Sequence, residues 1–351
     1  MTFEEVRAGF PVLERIAYLN AGTFGPLASA TVDAMRAEQE RALAEGRVGL
    51  PTFERVLAMR GSVRERLAAL VGVAPEAVAL TSSTTDGCNI VLAGLDLGPG
   101  DEVVTTTDEH FGLLGALGVS PARVVVVEPD PERILAAVTP RTRLIAVSHV
   151  LWTSGAILPV RELQERSGVP VLANGAQAAG AIPVDATGVD FYTISGQKWL
   201  CGPDTTGALV VADPERLRIA SPTYFAQSSY EPDGSFVPRE DAVRFESGWI
   251  APASLAGLAA ALDSRPEWAF GRALTTAERC RELLGAHVEV LTPAERATLV
   301  TFRPEGDAAD LVARLREAGV QVRDMPGRGL VRASVGYWTN EDDLERLVAR
   351  L

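Results

Sequence analysis

The sequence FYTISGQKWLCGP, at Phe191–Pro203, joins a short apolar run, a polar turn and the only lysine of the chain, Lys198. All other basic residues among the 33 lysines and arginines are arginines. Arginine replaces lysine as a solvated charge, but only a lysine with a lowered pKa can form an imine with a carbonyl. In open α/β sheets, ligands bind beyond the carboxyl ends of strands, where this lysine is expected. The stretch therefore predicts a Schiff-base lysine; the alternative is one remaining surface lysine.

Short β-branched runs alternate with helical segments on both sides of this stretch. Two amphipathic helices are predicted at Ser29–Ala44 and Thr52–Val71, where apolar residues recur at helical spacing. The predicted strands are Ala77–Leu80, Glu102–Thr106, Arg123–Val127, Leu144–Val147, Pro170–Leu172, Phe191–Ile194 and Ala208–Val211. This alternation indicates an α/β fold with a mainly parallel, seven-stranded sheet that is covered by helices on both faces.

The pattern changes after about residue 213. A Pro- and Ser-rich stretch, Ser221–Pro238, precedes a predicted helix at Pro252–Leu262. From residue 268 onward, short strands alternate with helices, of which Asp307–Ala318 and Glu341–Leu351 are the clearest. We therefore expect a smaller α+β unit at the C-terminus, and three parts overall: an N-terminal arm at residues 1–20, a large domain at 21–250 and a small domain at 251–351.

Composition excludes several classes of protein. The net charge of −13 and a pI near 4.9 argue against a nucleic-acid surface, which needs clustered basic residues. No apolar stretch reaches the roughly 20 residues needed to cross a bilayer, and the first ten residues do not resemble a secretory signal. Three widely spaced cysteines form no disulfide framework, and the histidines show no metal-ligand spacing. We expect a cytoplasmic protein that binds neither nucleic acid, membrane nor metal.

Three further polar motifs follow predicted strands. The turn TSSTTDGCN at residues 81–89 opens a helical run, where hydroxyl and free N–H groups suit a phosphate; an ordinary N-cap is the alternative. His110 could stack on a planar ring or move a proton, or be structural. Asn174 and Gln177 are expected to face the same crevice as Lys198, unless they simply form an Asn-Gly turn.

These motifs together resemble the class V aminotransferases, a family of fold-type-I pyridoxal phosphate (PLP) enzymes. The resemblance rests on the Lys198 motif, the Ser83–Asn89 turn, Asn174–Gln177 and Val331–Ser334, in the family's order, and extends over Tyr18–Glu341. The family includes cysteine desulfurases, isopenicillin-N-epimerase-like proteins and hercynylcysteine sulfoxide lyases. It implies the fold-type-I architecture, PLP as cofactor, an amino-acid substrate and a homodimer with shared active sites.

The resemblance also implies a role for each matching residue. Lys198 would hold the cofactor as a Schiff base and then transfer the α-proton, and His110 would stack on the pyridine ring. The cofactor would also contact Thr84, Thr85, Asn174, Gln177, Ser195, Gln197, Thr153 and Trp249. The substrate would contact Arg332, whose guanidinium suits a carboxylate, together with Asn20 and Trp152.

Several positions depart from the family pattern. Asn174 stands where an Asp usually keeps the pyridine nitrogen protonated, so we hypothesise a neutral or weakly protonated nitrogen and weaker carbanion stabilisation. Gln197 replaces a frequent His, but its amide can still donate to phosphate. Trp152 replaces a frequent Asn, and Trp249 replaces a Thr that reaches the neighbouring subunit's phosphate, a contact that indole cannot repeat. The segment Val322–Leu330 lacks the nucleophilic cysteine of the desulfurases, which argues against a protein-bound persulfide.

We therefore expect a PLP-dependent enzyme that acts on an amino acid as a class V-like transferase or carbon–sulfur lyase. The sequence leaves transamination and C–S β-elimination open, with epimerisation as a further alternative. A catalytically impaired binding or scaffold protein of the same fold is the alternative from a different class. Retention of the sole lysine argues against that alternative, because a binding-only protein with so strong a preference for arginine could have lost the amine.

Overall fold

A computed structural model describes all 351 residues of the chain. The helices are α1 (Phe3–Ala8), α2 (Ser29–Glu45), α3 (Gly49–Val71), α4 (Thr84–Gly94), α5 (Phe111–Gly118), α6 (Pro131–Ala136), α7 (Val160–Ser167), α8 (Pro252–Asp263), α9 (Ala269–Gly285), α10 (Ala308–Glu317) and α11 (Glu341–Val348). The strands are β1 (Ala17–Tyr18), β2 (Val78–Thr81), β3 (Glu102–Thr106), β4 (Arg123–Val127), β5 (Thr142–Ser148), β6 (Val171–Asn174), β7 (Phe191–Ser195), β8 (Gly207–Val211), β9 (Gln227–Tyr230), β10 (Phe236–Pro238), β11 (Glu289–Val290), β12 (Leu299–Arg303), β13 (Val320–Gln321), β14 (Arg323–Met325) and β15 (Leu330–Ser334).

The central sheet contains the seven strands that the sequence predicts. Their order is β2-β8-β7-β6-β5-β3-β4, and all neighbours are parallel except β8, which is antiparallel to both β2 and β7. Ser148 pairs with Asn174, and Asn174 with Thr193, so the carboxyl ends of β5, β6 and β7 lie side by side. The predicted α/β fold with a mainly parallel sheet is confirmed.

Helices cover both faces of this sheet because its strands are apolar on both sides. One face packs against α3 and α8 through Val63, Leu67 and Leu258, and the other packs against α4 and α5 through Val91 and Leu113. Truncating a buried leucine of this kind to alanine costs about 2–5 kcal/mol of stability. None of the helices combines the length and the apolar composition that crossing a membrane requires.

The C-terminal unit is built on a four-stranded antiparallel sheet, β11-β12-β15-β14, with α9, α10 and α11 around it. The N-terminal arm packs against this unit, since β1 pairs with β13 and Phe10 contacts Trp338. Two details differ from the sequence-based interpretation. The stretch Ser221–Pro238 contains the hairpin β9–β10, and α8 packs against α2 and α3 in the core of the large domain. We therefore propose that the small domain begins after Ser264 rather than at residue 251.

Candidate active site

A cleft opens at the carboxyl edge of the central sheet, where β5, β6 and β7 end. The space between its walls, including the part that is open to solvent, is about 650 Å³. Its walls are formed by Ser83, Thr84, Thr85, His110, Gly112, Ser148, Val150, Trp152, Asn174, Ala176, Gln177, Ser195, Gln197 and Lys198. Nine of the predicted site residues are in this set, and no Asp or Glu is.

Lys198 lies in the turn that follows β7, and its position depends on a close backbone approach. The N–H of Gly25 donates to the carbonyl oxygen of Gln197 at 2.8 Å, and any Cβ on Gly25 would overlap with the Lys198 carbonyl oxygen. Burial, and then the guanidiniums of Arg332 and Arg323, lower the pKa of the Lys198 amine to about 7. A large fraction of the amine is therefore neutral near pH 7 and can act as a nucleophile.

One end of the cleft is formed by the N-terminus of α4. Ser83 caps this helix by accepting a hydrogen bond from the N–H of Asp86 at 3.1 Å, and Thr84 and Thr85 form the first turn. Their backbone N–H groups have no intrahelical acceptor, so they can bind an anion together with the hydroxyls. Beside them the Ser195 hydroxyl donates to Oε1 of Gln197 at 2.7 Å, which leaves Nε2 of Gln197 as a donor.

Two amides with fixed orientation form the base of the cleft. Oδ1 of Asn174 accepts the N–H of Ala176 at 3.1 Å, so its Nδ2 is the group left to donate. Nε2 of Gln177 donates to the carbonyl oxygen of Gly22 at 2.9 Å, and its Oε1 accepts from the indole of Trp199 at 3.0 Å. Gln177 therefore retains one N–H and one lone pair for a ligand.

His110 and Trp152 form an aromatic wall. Their rings meet edge to face, with centroids 5.5 Å apart. Nδ1 of His110 accepts the N–H of Gly112 at 3.1 Å, so the neutral ring carries its proton on Nε2. Burial, and then the charges of Lys198, Arg323 and Arg332, lower the pKa of His110, so the ring is neutral at pH 7.

Arg332 and Asn20 lie directly behind this lining. Arg332 is only 1% exposed, and its Nη1 donates to the carbonyl oxygen of Trp152 at 2.8 Å. A Cβ on Gly22 would lie 2.7 Å from Nη2 of Arg332 and 3.0 Å from Oε1 of Gln177, so only glycine permits this approach. Burial, and then Arg323, lower the pKa of Arg332 to about 9. Asn20 accepts a hydrogen bond from the Thr23 hydroxyl at 2.9 Å.

The structure does not bring Thr153 or Trp249 to this cleft. The Thr153 hydroxyl donates to Asp108 at 2.8 Å, so it is already engaged with a carboxylate. Trp249 is 48% exposed and stacks between Phe53 and Phe225, with ring centroids 6.1 and 6.0 Å away. It lines a second cleft between α2, α3 and the segment before α8. Neither residue is placed to contact a group bound beside Lys198 within one chain.

Arg323 is not among the site residues predicted from the sequence, although its charge acts on both Lys198 and His110. It lies on β14 directly opposite Arg332 on β15. The turn signal at Pro326–Gly329 could have predicted this hairpin, and the hairpin register would then have paired the two arginines.

The three cysteines, by contrast, lie away from the cleft. All are free and buried, and burial raises the pKa of each thiol to about 12. None of Cys88, Cys201 and Cys280 lines the cleft, so they act as small buried residues of the core.

The cleft fits a planar molecule that carries both a phosphate and an aldehyde. The N-terminus of α4 and Gln197 supply neutral donors for the phosphate, and the free amine of Lys198 suits the aldehyde. The buried indole Nε1 of Trp152 has no partner within the chain, which indicates a polar ligand near this wall. These are the groups that PLP requires.

Comparisons with known proteins agree with this geometry. A profile of the family "Aminotransferase class-V" matches residues 18–347. Isopenicillin N epimerase from Streptomyces clavuligerus is 29% identical over 392 aligned positions, which cover 99% of this chain and 97% of that protein. A cysteine desulfurase from Klebsiella pneumoniae is 29% identical over 407 positions, which cover 100% of this chain and 98% of the relative.

Solved structures give the same result. A mutant of the protein C-DES with glycine covalently linked to its PLP cofactor superposes with a TM-score of 0.91 at 28% identity, over 98% of both chains. The cystine C–S lyase C-DES in complex with cysteine persulfide gives a TM-score of 0.90 at 27% identity, over 97% of this chain and 98% of that one. The chain belongs to the class V aminotransferase family and is a PLP-dependent enzyme.

Proposed function

We propose that Lys198 forms a Schiff base with the aldehyde of PLP and that the enzyme cleaves a C–S bond at the β-carbon of an amino acid. One observation carries the proposal: the only lysine of the chain lies in the cleft, and its pKa is lowered to about 7. The neutral amine of Lys198 would hold PLP through its aldehyde, with loss of one water molecule, and would become free to act as a base once an amino-acid substrate has taken its place.

The residues of the cleft divide this work by position. Bound PLP supplies an electron sink for charge that develops at the α-carbon. Thr84, Thr85, Ser195 and Gln197 hold its phosphate with neutral donors, Asn174 and Gln177 donate to its ring, and His110 covers one face. Arg332 binds the α-carboxylate, and the released amine of Lys198 accepts the α-proton. In the elimination the electron pair of the Cα–H bond forms the Cα–Cβ double bond, and the sulfur leaves with the electrons of the C–S bond.

Two observations favour a lyase over a desulfurase that carries sulfur on a cysteine. The segment between β14 and β15 contains no cysteine, and the three thiols of the chain are buried with raised pKa values. The cystine C–S lyase C-DES is also among the structures most similar over the full chain. Transamination is the second candidate, because the family profile that matches is named for it.

We also propose that the enzyme is a homodimer of the cytoplasm. Three apolar side chains at the α2–α3 junction are largely exposed: Leu43 (88%), Val48 (74%) and Leu50 (66%). Trp249 is also exposed and lines the second cleft, between α2, α3 and the segment before α8. Such a patch favours association with a second copy. Light scattering at micromolar concentration should give twice the chain mass, and Leu50→Glu should give the single-chain mass.

The Schiff base can be tested with unusual clarity because there is one lysine. Borohydride reduction of the holoenzyme should attach one cofactor to the peptide that contains Lys198, as measured by mass spectrometry after chymotryptic digestion. Lys198→Arg should give no adduct on that peptide. The N-terminal amine is the built-in control; an adduct there alone, or none at all, would contradict the proposal.

Product analysis then separates the reactions. Pyruvate with a released thiol or persulfide from cystine and cysteine conjugates indicates β-elimination. A keto acid with aminated cofactor indicates transamination, and an inverted α-carbon with no other product indicates epimerisation. Either of the last two results would replace the lyase assignment while leaving the role of Lys198 intact.

A further inference from the structure

Two arginines share one face of the small-domain sheet. Arg323 on β14 and Arg332 on β15 are direct cross-strand partners, so their Cβ atoms are about 5 Å apart and their side chains point to the same side. Thr301 of β12 is the next partner of Arg332, and its hydroxyl bonds to the carbonyl oxygen of Thr153. This face therefore packs against the large domain beside the Lys198 cleft.

Neither guanidinium is neutralised by a carboxylate of the chain. Arg332 donates to the carbonyl oxygen of Trp152, and Arg323 donates to the Thr23 hydroxyl at 3.0 Å. Asp108, the nearby acid beside Trp152, is already bound to Arg328 and Thr153. Like charges directly opposite each other on paired strands are destabilising, and a buried charge without a partner is costly.

This arrangement is unexpected in so acidic a chain. There are 46 Asp and Glu residues for 33 Lys and Arg, yet none of the residues that line the cleft is acidic. No carboxylate of the cleft lining balances the two arginines, so a bound ligand is the available source of negative charge. The α-carboxylate of a substrate can neutralise one guanidinium, and the cofactor phosphate is held at the opposite end by neutral donors. One positive charge is then left over.

We propose that Arg323 binds a second anionic group of the substrate, so that the preferred substrates are amino acids with an acidic side-chain group in addition to the α-carboxylate. This inference rests on the proposed function, because it takes the α-carboxylate to lie on Arg332. Asn20 completes the subsite through Thr23, whose hydroxyl accepts from Arg323 and donates to Asn20. The side-chain anion is a carboxylate, sulfinate or a group of similar geometry, which a guanidinium binds through two parallel hydrogen bonds.

The test measures binding rather than turnover. Calorimetry on the holoenzyme compares succinate and glutarate with butyrate and valerate, which have no amine to react with the cofactor. The dicarboxylates should bind at least tenfold more tightly than the monocarboxylates of equal length. Arg323→Gln should weaken dicarboxylates about 10- to 100-fold and leave monocarboxylates unchanged, whereas Arg332→Gln should weaken both.

Two control variants show whether the preference belongs to Arg323 itself. Arg303→Gln, on β12 and paired with Glu289, removes an arginine of the same sheet and should change neither affinity. Arg323→Lys keeps the charge and should recover part of the dicarboxylate affinity. Equal weakening of mono- and dicarboxylates by Arg323→Gln would show that both arginines clamp one carboxylate and would overturn the proposal, as would no weakening at all.

The same design distinguishes failure of this subsite from failure of the proposed function. Lys198→Ala should keep the preference for dicarboxylates, since the arginines do not depend on the amine. If the borohydride adduct is missing while the preference persists, the Schiff base fails and the subsite stands. In turnover assays, the ratio of kcat/KM for S-carboxymethylcysteine over its uncharged amide, S-carbamoylmethylcysteine, should fall with Arg323→Gln by the same factor as the dicarboxylate affinity.

Discussion

The two walls of the cleft handle negative charge differently. The large-domain wall offers neutral donors with fixed orientation, such as Thr85 at the start of α4 and Gln197 held by Ser195. On the small-domain side, Arg323 and Arg332 lie behind the lining of the cleft, and neither is neutralised within the chain. Neutral donors can bind a phosphate without adding a net positive charge to the cleft. Guanidiniums without a carboxylate partner suit an anionic ligand that binds reversibly. When one ligand dissociates, the positive electrostatic field returns and attracts the next ligand.

The largest expected effect on turnover comes from Lys198→Arg, which places a permanent positive charge in the large-domain wall of the cleft. Lys198→Arg keeps a basic side chain but removes the only side-chain amine that can condense with an aldehyde. Turnover should fall on the order of 10³-fold or more. Steady-state kinetics with saturating PLP measures the loss, and circular dichroism checks that the fold is retained. Activity within tenfold of the parent enzyme would remove Lys198 from the mechanism.

A smaller effect is expected from the backbone contact that places Lys198 on that wall. Gly25→Ala sets a Cβ against the Lys198 carbonyl oxygen, so one of the two segments must move. Overpacking of this kind costs about 1–3 kcal/mol in the free energy of unfolding. Urea denaturation measures it. The matched control is Gly271→Ala in α9, where a Cβ meets nothing within 4 Å and helix propensity predicts a gain of up to about 1 kcal/mol.

The pH dependence of cofactor attachment tests how strongly burial and the two arginines lower the pKa of Lys198. Burial together with Arg332 and Arg323 lowers the pKa of Lys198 to about 7, and only the neutral amine attacks an aldehyde. After removal of PLP, the rate of reattachment should rise about tenfold per pH unit below pH 7 and level off above it. An ordinary lysine would continue to gain rate up to about pH 10. Stopped-flow absorbance gives the profile, with Lys198→Arg as the control for the N-terminal amine.

The smallest change introduces a negative charge at the base of the neutral wall. In Asn174→Asp the carboxylate can still accept the N–H of Ala176, but it replaces a donor by an acceptor toward the cleft. With Asn174 the pyridine nitrogen should be unprotonated, and with Asp it should be protonated. The ¹⁵N chemical shift of labelled PLP reports this directly. An identical shift in both proteins would reject the interpretation of Asn174.

The strands and the cleft were accessible from sequence because both depend on local patterns. Apolar β-branched runs predict all seven strands of the large sheet, with ends that agree to within two residues in the structure. Polar residues that follow those strands, such as Asn174 and Lys198, converge because parallel strands end at one edge of the sheet. The direction of the strands was therefore sufficient to predict from the sequence where the cleft lies.

Other features depend on contacts between distant segments and could not be predicted in the same way. The Thr153 hydroxyl is directed away from the cleft by Asp108, a residue 45 positions earlier. Arg323 acquires its importance from the register of β14 on β15, and its own neighbours in sequence are ordinary in composition. α8 joins the large domain because its apolar side fits α2 and α3, although it follows the irregular stretch that suggested a boundary.

The rarity of lysine has a consequence for how this protein ages. Reducing sugars and reactive aldehydes modify ε-amines, and this chain presents a single one, at Lys198. Glycation damage to ε-amines is thus confined to the cleft, where a low pKa makes the group reactive at neutral pH. If Lys198 holds the cofactor as proposed, a molecule that carries its cofactor is shielded at that point, so molecules that have lost it are inactivated first, while the exterior has no ε-amine to modify.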